Sequence, residues 1–228
     1  MKKSEIETNI KEIFKSIQGE GPYIGFEQIF IRFCKCNLHC DYCDTDYKTN
    51  IKSYSIREII SEIESLNPKN IHSISLTGGE PLLDTEFLKE FLPKVDKKIY
   101  LETNGTLPNE LKEIIDLIDI VSMDIKLASS AKVEDLTEKH KEFIKIAIKN
   151  KKEIFLKVVF DANVNDKEIK TCIDLAKENN LQIILQPLML KDKMKPTSEE
   201  IIQIFDKFIQ KYENVRIIPQ VHKFLQVE

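Results

Sequence analysis

Long apolar runs are missing from this sequence. No stretch approaches the roughly 20 consecutive apolar residues that a membrane span needs, and the opening "MKKSEIETNIKEIF" lacks the apolar core of a signal peptide. A cytoplasmic protein with no membrane partner is the expectation. An internal linker, a low-complexity tract and a long single-sign charge run are also missing, so one domain is predicted over residues 1–228. A net charge of −4 gives no reason to expect nucleic acid as a partner. Cysteine is scarce, at five residues, yet four of the five fall within "CKCNLHCDYCDTD" (34–46). An odd count with Cys172 far from the rest fits a disulfide framework poorly. In a reducing compartment, crowded cysteines point instead to metal or catalysis. Glycine is also rare, with six in all and none beyond Gly105.

What is present alternates. Short β-branched or aromatic runs at 28–34, 71–77, 98–103, 119–125, 153–160, 181–186 and 215–220 are predicted strands. Between them lie helix-period stretches. "SIREIISEIESL" opens with Ser55 and Glu58 in capping-box spacing, and "TSEEIIQIFDKFIQKY" with Thr197 and Glu200. Phe143, Ile144, Ala147 and Ile148 share one face of a third helix. This alternation predicts βα units and a parallel sheet, either a barrel or a doubly wound sheet. The few glycines fall with polar residues just after the strands: "TGGEP" follows "ISL", and "ETNG" follows "IYL". The cysteine loop, "DIK", "QPLM" and "QVHK" also stand at strand ends. The carboxyl ends of parallel strands are where such folds build their sites. One enzyme site assembled from many loops is the expectation.

Within the loop, Cys36, Cys40 and Cys43 have the spacing C-x3-C-x2-C. Three thiolates on a tight loop suit three corners of a cubane iron–sulfur cluster and leave one iron open to a ligand. The competing reading is zinc, completed by His39 or His222. Zinc knots usually bring two C-x2-C pairs, and only one such step is present here. Cys34, in period with the apolar run before the loop, and Cys172, on a helix face, are expected to be small buried residues.

C-x3-C-x2-C with an aromatic before its last cysteine (Tyr42), together with "TGGEP", resembles the radical S-adenosylmethionine superfamily. "EIFKSIQGEG", "IRFCKCNLHCDYCDTD", "LTGGEPLL", "LETNGTLP", "LQPLM" and "QVHKFLQVE" narrow the resemblance to the 7-carboxy-7-deazaguanine synthase family. The resemblance implies an α/β fold, a modified partial (β/α) barrel with a mostly parallel sheet, and a substrate-loop segment near residues 10–26. It implies contraction of 6-carboxy-5,6,7,8-tetrahydropterin to 7-carboxy-7-deazaguanine with loss of ammonia, on the way to queuosine. A 4Fe–4S cluster, S-adenosylmethionine and Mg2+ would be the cofactors. A flavodoxin or ferredoxin would donate electrons, and the enzyme would be a homodimer.

Residue by residue, the resemblance makes Cys36, Cys40 and Cys43 the cluster ligands and Thr45 the Mg2+ ligand. Ile17, Gln18, Gly19, Arg32, Thr77, His222 and the terminal carboxylate of Glu228 would hold the pterin. Tyr42, Asp44, Gly79, Glu102, Asn104, Ser122, Asp124 and Lys126 would contact S-adenosylmethionine, with Gln186, Pro187, Leu188 and Met189. Two rivals differ in class. A glycyl-radical-enzyme activase shares the cysteine spacing but leaves "SIQGEG", Arg32 and "HKFL" without a purpose. A zinc-stabilised binding module leaves "TGGEP" and "ETNG" without one.

Overall fold

The computed structural model describes residues 6–43, 49–190 and 193–227. In chain order its elements are β1 (Glu7–Ile17), β2 (Glu27–Phe33), β3 (Lys52–Ser55), α1 (Ile56–Ser65), β4 (Ser73–Gly78) and α2 (Thr85–Phe91). Then come β5 (Ile99–Thr103), α3 (Pro108–Ile114), β6 (Ile120–Ile125), α4 (Ala128–Ala131), α5 (Thr137–Lys149), β7 (Glu153–Phe160) and α6 (Asp166–Lys177). The last are β8 (Ile183–Pro187), β9 (Met189–Leu190), β10 (Lys193–Met194), α7 (Ser198–Ile209), β11 (Val215–Ile217) and α8 (Val221–Leu225). The main sheet runs β11-β8-β7-β6-β5-β4-β2-β1-β3. Every neighbour from β2 to β11 is parallel, whereas β1 is antiparallel to both β2 and β3. β3 and β11 stand at opposite ends of the sheet and do not pair with each other, so it is an open partial barrel with a mostly parallel sheet.

Each expected strand is present, with its ends shifted by no more than three residues. β6 is buried at every position and β7 at all but its first, as befits parallel strands covered on both faces. The capping boxes of Ser55 with Glu58 and Thr197 with Glu200 both form, and Asn165 with Glu168 adds a third at the start of α6. Phe143, Ile144 and Ala147 on α5 are in the core, with Ile148 packed partly against it.

The N-terminal stretch corrects the sequence reading. Residues 10–17 belong to the 11-residue strand β1 rather than to a loop segment, and the loop proper begins after Ile17. Ile10, Ile13, Phe14 and Ile17 have helical rather than strand spacing, which hides the strand. A register shift between Ile10 and Glu12 accounts for the broken alternation, since an extra residue swaps the faces beyond it.

One face of the sheet positions the site. Side chains two residues apart on a strand point the same way. Tyr100, Ile120, Phe155 and Ile184 form a small apolar cluster with Ile218, covered by Tyr23 and Ile24 of the turn after β1. Two residues further along the same strands stand Glu102, Ser122, Lys157 and Gln186. The floor is therefore greasy, and the polar groups begin one step above it. No helix among the described residues is long and apolar enough to cross a membrane.

Candidate active site

A cavity of about 560 Å³ opens at the carboxyl ends of the strands. Cys36, Cys40 and Cys43 all line it. The loop that carries them is held by its neighbours. Gly79 N–H donates to the Phe33 carbonyl (3.1 Å) and Glu80 N–H to the Lys35 carbonyl (2.6 Å), which pins the "GGE" turn beneath the first cysteine. A side chain at Gly79 would stand 1.9 Å from the Lys35 carbonyl oxygen, so only glycine allows this approach. Asn37 bridges to the "ETNG" turn, donating to Thr106 Oγ1 (2.8 Å) and accepting from Asn104 Nδ2 (2.9 Å). Asp41 N–H donates to the Ala131 carbonyl (3.0 Å) on α4.

None of the five cysteines is in a disulfide, and Cys34 and Cys172 are buried as expected. Among the described residues no three His, Cys, Asp or Glu side chains converge where one ion would sit. A cubane makes no such demand, because each thiolate binds a different iron.

Most of the residues singled out in the sequence meet here. Gln18, Arg32, Thr77, Gly79, Glu102, Asn104, Ser122, Asp124, Lys126, Gln186 and His222 line the cavity, as do Ile17, Gly19, Tyr42, Leu188 and Met189. Pro187 closes β8 and is not part of the lining. Asp44, Thr45 and Glu228 lie outside the described residues.

The polar groups form three linked sets. Glu102 accepts from Gln18 Nε2 (3.0 Å), Ser75 Oγ (3.2 Å) and Thr77 Oγ1 (2.8 Å), joining the loop after β1 to strands β4 and β5. Arg32 and Glu12 face each other across β1 and β2 and are paired at 2.6 Å, with the guanidinium over the Phe14 ring. Arg32 is thus a second-strand residue inside the sheet rather than on its edge. Lys126 lies over the Tyr42 ring (5.3 Å) and pairs with Asp124 (2.9 Å). Burial disfavours the Lys126 ammonium, but the Asp124 carboxylate together with Tyr42 and Cys40 outweighs it and holds its pKa above the usual lysine range. Asp124 also pairs with Lys157 at 3.2 Å, and Lys157 with Glu20.

Glu12, Glu20, Lys157 and Gln220 were missed in the sequence, although all four line the cavity. The signal for Lys157 was a lone charge in the apolar run "EIFLKVVF". Glu20 stands inside "QGEG", where Gln18 and Gly19 carried the resemblance.

Glu80 supports the site without lining it. Its carboxylate is fully buried and accepts from Asn104 N–H (2.8 Å), Leu82 N–H (3.2 Å) and Thr103 Oγ1 (2.9 Å). Burial pushes its pKa up to about 7 from an ordinary 4.5, against the pull of those donors. A carboxyl raised on folding stabilises the protein fully below its unfolded value and loses that contribution as pH rises through 7. The stability of Glu80→Gln relative to the parent should therefore improve by roughly 3 kcal/mol between pH 4.5 and 7.5. Denaturant melts across that window test this. A flat difference would mean that folding leaves the Glu80 carboxyl at its ordinary pKa.

Comparison with known proteins follows the same lines. The family model described as Radical SAM superfamily matches residues 30–186. The 7-carboxy-7-deazaguanine synthase of Geobacter sulfurreducens is 34% identical, with 95% of this chain and 96% of that protein aligned. The protein of the same name from Methanothermobacter thermautotrophicus is 33% identical over the same shares. The crystal structure of QueE from Escherichia coli superposes with a TM-score of 0.63 over 95% of each chain at 21% identity, a likeness of fold. A radical SAM methyltransferase from Sphaerobacter thermophilus reaches a TM-score of 0.62 at 12% identity, covering 93% of this chain and 73% of that one. Matched by the family model over residues 30–186 and aligned over 95% of its length with relatives 34% and 33% identical, the chain belongs to the radical SAM superfamily and, within it, to the 7-carboxy-7-deazaguanine synthase family.

Proposed function

We propose that this chain is a radical SAM lyase that converts 6-carboxy-5,6,7,8-tetrahydropterin to 7-carboxy-7-deazaguanine with loss of ammonia. One observation carries this beyond the superfamily. The superfamily match ends at residues 30 and 186, yet the cavity also takes Gln18, Gly19 and Glu20 from the start of the chain and Gln220 and His222 from its end. These added walls narrow the shared core to a small-molecule site.

The donors suit the cofactors. Three cysteines line one cavity, and Asp124 Oδ1 and Gln186 Oε1 are buried there without a hydrogen-bond partner among the described residues. Such orphaned acceptors fit a ligand that brings hydroxyl and amino donors. Cys36, Cys40 and Cys43 would hold the cluster. Gly79, Glu102, Asn104, Ser122, Asp124 and Lys126 would hold S-adenosylmethionine with Gln186, Leu188 and Met189. When bound, these groups supply an electron and the means to remove a hydrogen atom from the substrate.

The chain's own side chains bind, orient and exclude water. Glu12 takes the Arg32 Nε–H, and among the described residues the two terminal guanidinium nitrogens make no hydrogen bond. That pair presents a planar fork to the pterin carboxylate. Glu102 fixes Gln18 and Thr77 as a single surface, and the apolar floor below keeps water from the ring. A Mg2+ ion with Thr45 as protein ligand, a flavodoxin or ferredoxin as electron donor, and a homodimer complete the proposal.

The test is an anaerobic assay of the iron-reconstituted protein with the carboxytetrahydropterin, S-adenosylmethionine and reductant. Formation of 7-carboxy-7-deazaguanine is expected by mass. No product from active, cluster-loaded protein would end the proposal. In the same assay Arg32→Lys should lose about 2–5 kcal/mol of pterin affinity, because an ammonium lacks the bidentate fork. Equal pterin binding by the lysine variant would remove Arg32 from that role.

A further inference from the structure

Two segments distant in sequence close over the cavity together. The loop after β1 folds on itself through Gln18 N–H to the Phe26 carbonyl (2.8 Å) and Gly25 N–H to the Gln18 carbonyl (3.0 Å). It then meets α8: Val221 N–H donates to the Gly19 carbonyl (2.9 Å), and Gln220 Nε2 donates to Glu20 Oε1 (2.7 Å). The contact is close, since a side chain at Gly19 would stand 2.4 Å from His222 Nδ1. The loop is held to the sheet by hydrogen bonds of Gln18 with Gln28 and Glu102 and of Tyr23 with Glu153. An ion pair adds to these: Lys157 reaches up from β7 and pairs with Glu20 Oε2.

We propose that Lys157 is a positioning residue for the substrate: by holding Glu20 it fixes the register of the paired loop and α8 over the cavity. The assignment rests on the pterin reading for the identity of the ligand, but its geometry does not.

Lys157 has two carboxylate partners, and they are unequal. Asp124 retains Lys126 at 2.9 Å if Lys157 is lost. Among the described residues no second lysine or arginine pairs with Glu20, which keeps the Gln220 amide and the field of the His222 ring. The side chains of Lys157 and Glu20 are 11% and 18% exposed, so Glu20 without its cation is a poorly compensated charge in a poorly solvated place. It regains water only by drawing the loop away from β7, and α8 moves with it through Gly19 and Gln220. Burial pushes the Glu20 carboxyl up, yet the Lys157 ammonium reverses this and leaves it at about 2, which agrees with a pair that is charged in the folded protein.

The consequence is selective. Removing Lys157 should loosen the clasp over the substrate while sparing the cofactor side, where Asp124 stays paired. Two measurements test this on the full-length, cluster-loaded protein. Hydrogen exchange needs no substrate: in Lys157→Met, amides in residues 18–26 and 221–227 should exchange at least about tenfold faster than in the parent, while those of β6 keep their rates. Lys157→Arg should restore the slow rates, because a guanidinium can still reach Glu20. In turnover, Lys157→Met should raise the pterin KM at least about tenfold and leave the affinity for S-adenosylmethionine within about threefold. Glu20→Gln should reproduce both effects without emptying the cavity wall, and serves if Lys157→Met folds poorly. The effects of Lys157→Met and Glu20→Gln on KM should not add, since both break one contact.

Unchanged exchange in both segments would overturn the proposal whether or not the pterin is the substrate. Additive effects on KM, or an equal loss of S-adenosylmethionine affinity, would also overturn it by showing that Lys157 acts on a ligand directly. Failure of the parent to turn over the pterin, with faster exchange in Lys157→Met, would instead refute the substrate and keep the positioning role.

Discussion

Replacing Cys36, Cys40 or Cys43 with alanine is expected to abolish the cluster and all turnover, whereas Cys34→Ala or Cys172→Ala should leave both in place. The first three line the cavity, while Cys34 and Cys172 lie outside it and are 7% and 1% exposed. A four-iron cubane held by three thiolates has no spare protein ligand, so losing one leaves two irons without a protein anchor. The parent, purified without oxygen, should be brown with about four irons and matching sulfide per chain. Iron and sulfide analysis of the five variants decides the matter. Stoichiometric zinc without sulfide in the parent would refute the cluster, and iron loss in Cys172→Ala would show a folding effect in its place. Burial pushes the Cys172 thiol up to about 12, which leaves it a poor ligand as well as a distant one.

The second large effect is expected at Gly79. A methyl group there would meet the Lys35 carbonyl oxygen at 1.9 Å and the Lys35 carbonyl carbon at 2.5 Å. Both are backbone atoms, so no rotamer can relieve the clash. Lys35 immediately precedes Cys36, and its carbonyl accepts the Glu80 N–H at 2.6 Å. Gly79→Ala must therefore push the "GGE" turn from the cysteine loop and break the bond that seats it. Overpacking of this kind costs about 3 kcal/mol or more, which is roughly a 6–12 °C fall in Tm for a chain of this size. Iron uptake on reconstitution should fall with it, because the loop loses its base. A melting temperature within about 2 °C of the parent and full iron would show that the turn and the loop are independent.

Much of this was legible in the sequence, for local reasons. The parallel strands announced themselves as short β-branched runs because they are buried on both faces, and helices α1 and α7 because their capping boxes need only residues three apart. The cysteine loop was legible because metal ligation needs a fixed residue type at fixed spacing. The strand β1 was not, because its pairing with β2 and β3 is decided across the sheet and its register shift scrambles the alternation.

The sequence by itself determined the α/β alternation, the ends of the strands that carry the site, and the residue types offered to a cluster and a carboxylate. Those properties follow from neighbours within a turn of chain. Only the tertiary structure decided that the sheet stays open, that Arg32 stands opposite Glu12, and that Glu20 meets Lys157 and Gln220. Glu20 is 137 residues from the first of these partners and 200 from the second, and no local pattern encodes a contact at such separation. It arises because the sheet brings the carboxyl end of β7 beneath the loop after β1, and burial there leaves a carboxylate no other place for its charge.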